Sequence, residues 1–369
     1  MGQAIETFLD HFGALEDKRE QAKVRHPVGE ILLVTLAGMV GGATGWEDIE
    51  TFGAAKLEVL RGVLAFQAGV PSDDTLRRFF RAIDPQVFRD VFADFARSLL
   101  PSAAERLIAI DGKTLRGSRD GATKALHLVS AFATEVRLVL AQVKTDEKSN
   151  EIIAIPELLG LLDLRGATIS IDAMGCQRAI AQKIMDGGGQ FLLGLKGNQG
   201  TLHDDVRLLF KSPPSGTVFA AHEDHDKGHG RIETRNCLAT DDIVWLQERH
   251  EWPGLRSLVQ ITATRRVGEH TSTDTRYYLT SLPPDPKRLL ENTRSHWAIE
   301  NNLHWTLDMT FGEDASRIRQ HNAPLAIAVV RHVALNLLRL AQRPRESINM
   351  LRKKVGWDNV TLQRVLALS

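Results

Sequence analysis

Two aspartates close short apolar runs, and one glutamate stands inside a long amphipathic stretch. Asp111 ends the run in LIAIDGKTLRGS, Asp172 ends the run in TISIDAMGCQ, and Glu300 lies within RSHWAIENNLHWTLDMTFGED, residues 294–314. Carboxylates offered from two strands and a helix can hold divalent metal through hard oxygen ligands, and metal held that way serves phosphoryl transfer. Sequence intervals of 61 and 128 residues separate the three acids, so only a folded domain can assemble them. The third stretch reads as one long helix. At a spacing of four, His296, Glu300, His304 and Asp308 share a face, flanked by Trp297, Ile299, Leu303 and Leu307. Taken singly, each aspartate reads equally as a turn residue at a strand end, and Glu300 as a salt-bridge partner on a helix surface.

The composition leaves room for this chemistry. With 369 residues, 43% of them hydrophobic, the chain can bury a large α/β core plus smaller units and is too apolar to be disordered. Its 46 basic and 46 acidic residues cancel, which does not exclude nucleic acid, because a local basic surface suffices. Cys176 and Cys237 are the only cysteines, so no disulfide framework is expected and a reducing cytoplasm fits. The opening MGQAIETFLDHFG lacks the pattern of a secretion signal. VGEILLVTLAGMVGG is too short for a membrane span, carries Glu30 and breaks into glycines.

The elements that must position the acids follow from periodicity. Residues 1–100 read as a helical accessory domain. In it Ser72 or Asp73 caps a helix bearing Arg77, Arg78 and Arg81, a face suited either to DNA or to solvent. From residue 101 the period changes to that of strands. RLIAIDGK, ALHLVSAFAT and RLVLAQVKT form an expected antiparallel meander, and Ser149 or Asn150 caps the helix EIIAIPELLGLL. ATISIDA and GQFLLGLKGN flank the helix AMGCQRAIAQKIMDGG. The expectation is an α/β catalytic domain over 101–345 with a mixed sheet, interrupted by a β-rich insertion at 211–280 that begins near Pro213 and Pro214. LAIAVVRHVALNLLRL should be a core helix, and 346–369 a basic C-terminal tail or helix. From Arg331 to Lys354 seven Lys/Arg stand against the single acid Glu346, which makes Arg343, Arg345, Lys353 and Lys354 candidates for DNA contact.

Taken in order, ILLVTLAGMVGGATGWEDIETFG, GVPSDDTLRRFFRAIDP, IAIDGKTLRGS, IDAMGCQ, LLGLKGNQ, GHGRIETR and RSHWAIENNLHWTLDMTFGEDASRIR resemble the ISAs1-type branch of the IS4-like bacterial transposases, the H-repeat-associated proteins. The resemblance implies a ribonuclease-H-like catalytic domain with a helical N-terminal domain and a β-rich insertion. Its acidic triad would be Asp111, Asp172 and Glu300. It further implies Mg2+, with Mn2+ acceptable, and metal-dependent cleavage of double-stranded DNA at terminal inverted repeats, followed by joining of 3′ ends to target DNA. A homodimer in the DNA complex, a cytoplasmic, nucleoid-associated location and no membrane partner complete the expectation. The alternatives are a metal-dependent structure-specific DNA nuclease and a catalytically inactive DNA-binding descendant.

One departure from the wider family bears on the site. Where that family surrounds its last Glu with Tyr, Arg, Glu and Lys, this chain has Thr293, His296, Glu300 and Leu307. Arg294 or His296 is then the candidate for phosphate, His304 for support of metal or DNA, and Asn301 for orienting a carboxylate. Lys113, Arg116, Lys196 and Gln199 are further candidates for the DNA backbone. Each of these reads almost as well as packing or solvation. Trp297 and Trp305 are expected to brace layers, with stacking on DNA as the alternative. His222, His225 and His229 lack a structural-zinc spacing and read as a polar turn.

Overall fold

A computed structural model describes residues 4–20, 22, 24–100, 106–119, 124–145, 151–228 and 230–367. Its contacts gather into two units, one of Met1–Ser102, Gly112–Lys148 and Glu300–Ser369, the other of Ala103–Asp111 and Ser149–Ile299. The chain therefore changes unit just after Asp111 and just before Glu300. Ser149 and Asn150, expected to cap a helix, and His229 lie outside the described residues.

The first unit begins with α1 (Ala4–Phe12), α2 (Val28–Gly41), α3 (Trp46–Ala55), α4 (Leu57–Arg61), α5 (Asp73–Ala82) and α6 (Pro85–Ser98). Residues Ile31 to Val40 of α2 are buried around the whole circumference, as a helix apolar on every face must be. Gly42 ends it at φ 112°, a left-handed turn in which its N–H reaches the Gly38 carbonyl. Ser72 caps α5 and Asp84 caps α6. The same unit holds the last residues of β1 (Arg106–Leu115), then β2 (Leu126–Ala133) and β3 (Leu138–Thr145), in the order β3-β2-β1. β2 and β3 are antiparallel with a bulge between Ala131 and Phe132.

Its third segment supplies helices that pack on the first. After α12 (Trp305–Met309) come α13 (Ala323–Ala341), α14 (Ile348–Trp357) and α15 (Asn359–Leu366). By length and composition α13 could cross a membrane, but 83% of its apolar window is buried, and it packs against α2, α6 and β3. Asn336 of α13 grips the edge strand by both its groups: Val139 N–H donates to Oδ1 at 2.9 Å and Nδ2 donates to the Val139 carbonyl at 2.8 Å. Arg352 of α14 donates to the carbonyls of Met39 (2.9 Å), Ala43 (3.0 Å) and Thr310, with its guanidinium 4.4 Å from the Phe311 ring centroid. N-terminal and C-terminal helices thus share one core, and the C-terminal segment holds a pair of capped helices, Ile348–Trp357 and Asn359–Leu366.

The second unit contains α7 (Glu151–Gly160), β4 (Ala167–Ile171), α8 (Arg178–Asp186), β5 (Gln190–Leu195) and α9 (Thr201–Lys211). It continues with β6 (Ala220–Gly228), β7 (Arg231–Thr240), α10 (Val244–His250), β8 (Ser257–Val267), β9 (His270–Thr280) and α11 (Pro286–His296). Its strands run β1-β4-β5-β9-β8-β7-β6. β1, β4 and β5 are parallel, and from the β5–β9 pair outward the strands are antiparallel. The 211–280 segment therefore extends the sheet by four strands. Leu192, Cys237, Ala239, Val259, Ile261, Leu289 and Leu290 bury this extension beneath α11. The outer strand β6 carries His222, Glu223, Asp224, His225 and Asp226, charges that discourage pairing with another chain.

Residues 294–314 do not form one helix. α11 stops at His296, a π-helical turn spans Ile299–His304, and α12 follows. A π turn bonds i to i+5, so it takes up more residues than an α turn and breaks the spacing of four. The expected common face of His296, Glu300, His304 and Asp308 is lost for that reason.

Candidate active site

β1 and β4 bring two of the three acids together. Ala109 pairs with Ser170 and Ile110 with Ile171, so Asp111 and Asp172 are the next residue on each of two adjacent parallel strands. Such strands lie about 4.8 Å apart, and register-matched side chains project to the same face. Both strands are largely buried up to this point, and the two aspartates follow where the parallel pairing stops, the usual place for a site in a parallel sheet. Asp172 is exposed and Asp111 half-buried.

The turn after β4 fixes Asp172. Its Oδ1 accepts the Met174 N–H at 2.9 Å and the Gly175 N–H at 3.4 Å, while Oδ2 makes no hydrogen bond among the described residues. The loop after β5 clamps the same turn: Asn198 Nδ2 donates to the Ala173 carbonyl (2.8 Å) and Gln199 Nε2 to the Cys176 carbonyl (2.6 Å). Gln199, a candidate for DNA contact, thus holds the loop that carries exposed Lys196.

Gly194 was not singled out by sequence reasoning, because only strand register shows its place. A Cβ there would lie 3.1 Å from Ala173 N and 3.4 Å from Asp172 C, so the bare backbone of β5 lets the Asp172 turn approach. Gly194→Val is expected to cost about 1–3 kcal/mol by overpacking. Urea denaturation checks this, and a parent-like midpoint would mean that the turn yields freely.

His296 joins the aspartate face from the end of α11, its Nδ1 3.0 Å from Ser170 Oγ, two residues before Asp172. Burial pushes the imidazole below its ordinary pKa, against the pull of the Asp172 charge, so it stands as a neutral donor and acceptor at neutral pH. Arg294 points elsewhere: Nη1 donates to Asp224 at 2.7 Å and Nη2 is 3.7 Å from Asp226 on β6. Trp297 is 38% exposed and carries the Arg276 guanidinium 4.9 Å from its ring centroid.

The remaining candidates belong to the first unit. Glu300 and Asn301 are exposed in the π-helical turn. Trp305, the first residue of α12, is 60% exposed and so is not packed between layers as expected. Lys113, expected to meet phosphate, is only 11% exposed, with Nζ 2.6 Å from Asp308, 3.0 Å from Glu313 and 3.4 Å from Asp314. Burial depresses its pKa, but Glu313 and Asp308 outweigh that and hold the ammonium above its ordinary value. Arg116 is exposed, with its N–H 3.2 Å and Nε 3.6 Å from Asp314 carboxylate oxygens. Of the seven basic residues between Arg331 and Lys354, Arg331 and Arg352 are buried, Arg339 donates to the Asn302 carbonyl, and Lys354 pairs with Glu346 at 2.8 Å. Arg343, Arg345 and Lys353 remain exposed. Three of the seven are thus packed inward, while the four candidates for DNA contact, Lys354 included, are exposed.

His304 and His332 form a second titrating feature in this unit. Burial, with the positive charge of Lys113, pushes both down to about 3. His304 is then neutral, which removes it as a cation for DNA. The unfolded chain would bind a proton at each near 6.5, so stability should be full above that pH. It should fall by about 1.4 kcal/mol per pH unit per histidine as the pH drops toward 3. Denaturant midpoints from pH 7 to pH 4 measure this, and a flat profile would contradict it.

Among the described residues no group of three or more His, Cys, Asp or Glu is placed to hold a metal ion. His222 and His225 stand on strand β6 and not in the expected polar turn, and His225 meets Thr234 Oγ1 (3.0 Å) and Glu223 (3.0 Å). The Asp111–Asp172 pair offers carboxylate oxygens, the donor chemistry that suits hard divalent cations.

Residues 9–96 match a family described as DDE_Tnp_1-associated and residues 102–337 one described as Transposase DDE domain. "Putative transposase YncI" of Escherichia coli O157:H7 is 41% identical over 374 residues, spanning 99% of this chain and 95% of that one. "H repeat-associated putative transposase YhhI" of Escherichia coli K12 is 37% identical over 376 residues, covering 98% of each. A chain of the piggyBac transposase synaptic complex with hairpin DNA aligns with a TM-score of 0.48 and 11% identity, over 99% of this chain and 78% of that one, a likeness too slight to build on.

Proposed function

This chain belongs to the H-repeat-associated, IS4-type transposases that carry a DDE domain, and we propose that it cuts double-stranded DNA at terminal inverted repeats and joins the freed 3′ ends to target DNA. The observation that carries the proposal is the register that leaves Asp111, midway along β1, beside Asp172, just past the end of β4, where the parallel pairing of the two strands stops. A ribonuclease-H-like reading of the catalytic domain is supported by the strand orders β3-β2-β1 and β1-β4-β5, with aspartates ending β4 and the apolar part of β1. Glu300, exposed in a π-helical turn of the kind that recurs at functional sites, is the proposed third acid.

Asp111, Asp172 and Glu300 would hold Mg2+, or Mn2+, since all three offer hard oxygen ligands. Bound metal of this kind supplies Lewis acidity to phosphoryl transfer. The protein's own groups set the geometry. Asp172 is pinned by two backbone N–H groups through one oxygen, leaving the other for a ligand. His296, neutral and oriented by Ser170, can exchange a hydrogen bond with a phosphate oxygen or a nearby water. In the cleavage step a water oxygen bonds to phosphorus, the bond from phosphorus to the 3′ oxygen breaks, and that oxygen takes a proton. In joining, the freed 3′-hydroxyl attacks a target phosphodiester, whose own 3′ oxygen leaves. Two ends must be handled in concert, so a homodimer on DNA is part of the proposal.

The test supplies a cognate pair of inverted-repeat ends and an unrelated duplex, each with Mg2+ or Mn2+. Metal-dependent end cleavage with joined products is expected on the cognate ends. Cleavage without joining would point instead to a structure-specific nuclease. Binding with no metal-stimulated cleavage would point to an inactive descendant.

A further inference from the structure

A cleft of about 600 Å³ opens in the first unit among the N-terminus of α3, the face of α5 and residues 312–323. It brings together four arginines from distant parts of the sequence, Arg77 and Arg81 of α5 and Arg317 and Arg319 of the segment that follows α12. We infer that this cleft is a DNA-backbone site, in which Arg81 and Arg317 meet phosphate oxygens. The inference rests on the reading of the chain as a DNA-acting transposase.

The charges in the cleft are unequal in kind. Its two carboxylates are Glu47 and Asp48, and Asp48 is held within the α3 cap, accepting from Thr44 N (2.9 Å), Thr44 Oγ1 (2.7 Å) and Gly45 N (3.1 Å). Those bonds hold the Asp48 carboxyl below its usual pKa and leave it ionised but turned to its own helix. Among the arginines, Arg77 is paired with Asp73 at 2.9 Å, and Arg319 donates through Nε to the Gly117 carbonyl at 2.8 Å. Arg81, half-buried, and Arg317, exposed, have neither hydrogen bond nor ion pair among the described residues. Unpaired guanidinium groups gathered in one cleft repel one another, and an anion removes that repulsion.

The chemistry narrows the anion. Of the apolar members of the lining, Trp46, Ile318 and Ala323 are buried and the small Ala315 alone is exposed, so the cleft presents mainly polar and charged groups to its occupant. Guanidinium forks match phosphate oxygens, and cations on both walls of an open cleft suit a polymer of phosphates better than one small ion. The walls are also fixed. A Cβ on Gly117 would meet the carbonyls of Ser316 at 2.5 Å and Asp314 at 2.6 Å, so the segment bearing Arg317 is seated against the chain after β1.

The experiment uses the full chain and a fluorescent duplex of unrelated sequence, titrated between roughly 50 and 200 mM salt. The double variant Arg81→Ala, Arg317→Ala should bind at least tenfold more weakly, with its log–log salt slope reduced by about 1.8, roughly 0.9 per lost phosphate contact. Arg81→Lys with Arg317→Lys should keep most of the slope. Removing two positive charges elsewhere, with Arg61→Ala and Arg165→Ala, should change neither quantity. Amide hydrogen exchange of the parent protein gives a second reading that needs no variant: DNA should protect 44–48 and 312–320. Parent-like affinity and slope in the alanine variant, equal loss in the alanine and lysine variants, or no protection of those segments on DNA would each overturn the site. A parent protein that binds no duplex at any salt would overturn both this site and the function on which it rests.

Discussion

Asp111→Asn, Asp172→Asn and Glu300→Gln should each lower end cleavage and joining at least about a thousandfold, which corresponds to roughly 4 kcal/mol of transition-state stabilisation. The amides keep the size of the acids and lose the anionic oxygen that a hard cation requires. Asparagine at 172 retains a carbonyl oxygen for the Met174 and Gly175 N–H groups, so the turn that positions it should persist. Glu300 is exposed, and its replacement should leave the melting temperature within a few degrees of the parent's. DNA affinity should be little changed in all three, because backbone neutralisation lies with the arginines. Near-parent chemistry in Glu300→Gln would remove it as the third acid while leaving the aspartate pair standing. Near-parent chemistry in either aspartate variant would defeat the proposed mechanism.

The aspartate pair was legible in the sequence because its signal is local. An apolar run that stops at a charged residue marks where a covered strand meets an accessible edge, whereas the parallel pairing of these two strands, with β2, β3 and α7 between them in the chain, is seen only in the register. The same reasoning located the strands that extend the sheet between Ala220 and Thr280. It failed at residues 294–314, where apolar positions at three and four residue intervals fit a regular helix as well as one broken by a π turn. Charge counted along the chain does not show which side chains turn inward. Arg352 reaches three carbonyls from segments as distant as Met39, a fate that only tertiary contact decides. Gly194 was silent for a related reason. A glycine in a strand has no meaning until its neighbour in the sheet is known.

Lys113→Met should destabilise the protein by about 3–5 kcal/mol, the usual result of removing one partner from a buried charge cluster. Its ammonium is the cation nearest Asp308 at 2.6 Å and Glu313 at 3.0 Å, while Arg331 stands off at 3.8 Å from Glu313. Glu313 is 2% exposed, so water cannot replace the lost charge. The variant must then either keep uncompensated carboxylates or protonate them, and protonation becomes easier as pH falls. Its deficit relative to the parent should therefore shrink on acidification from pH 7. His304 adds to this trend, since without Lys113 beside it the imidazole is less depressed and less stability is lost to acid. At alkaline pH the parent loses its advantage. The raised pKa of Lys113 means that its contribution is complete below 10.5 and disappears as the pH climbs through the folded value, so the two proteins should converge there as well. A second change, Glu313→Gln, should restore part of the loss in the Lys113→Met background and destabilise the parent. Chemical denaturation of the four proteins across pH measures each of these effects. A parent-like midpoint for Lys113→Met, coupled with a reduced salt slope for DNA binding, would instead return Lys113 to the role of a phosphate contact that its place two residues after Asp111 first suggested.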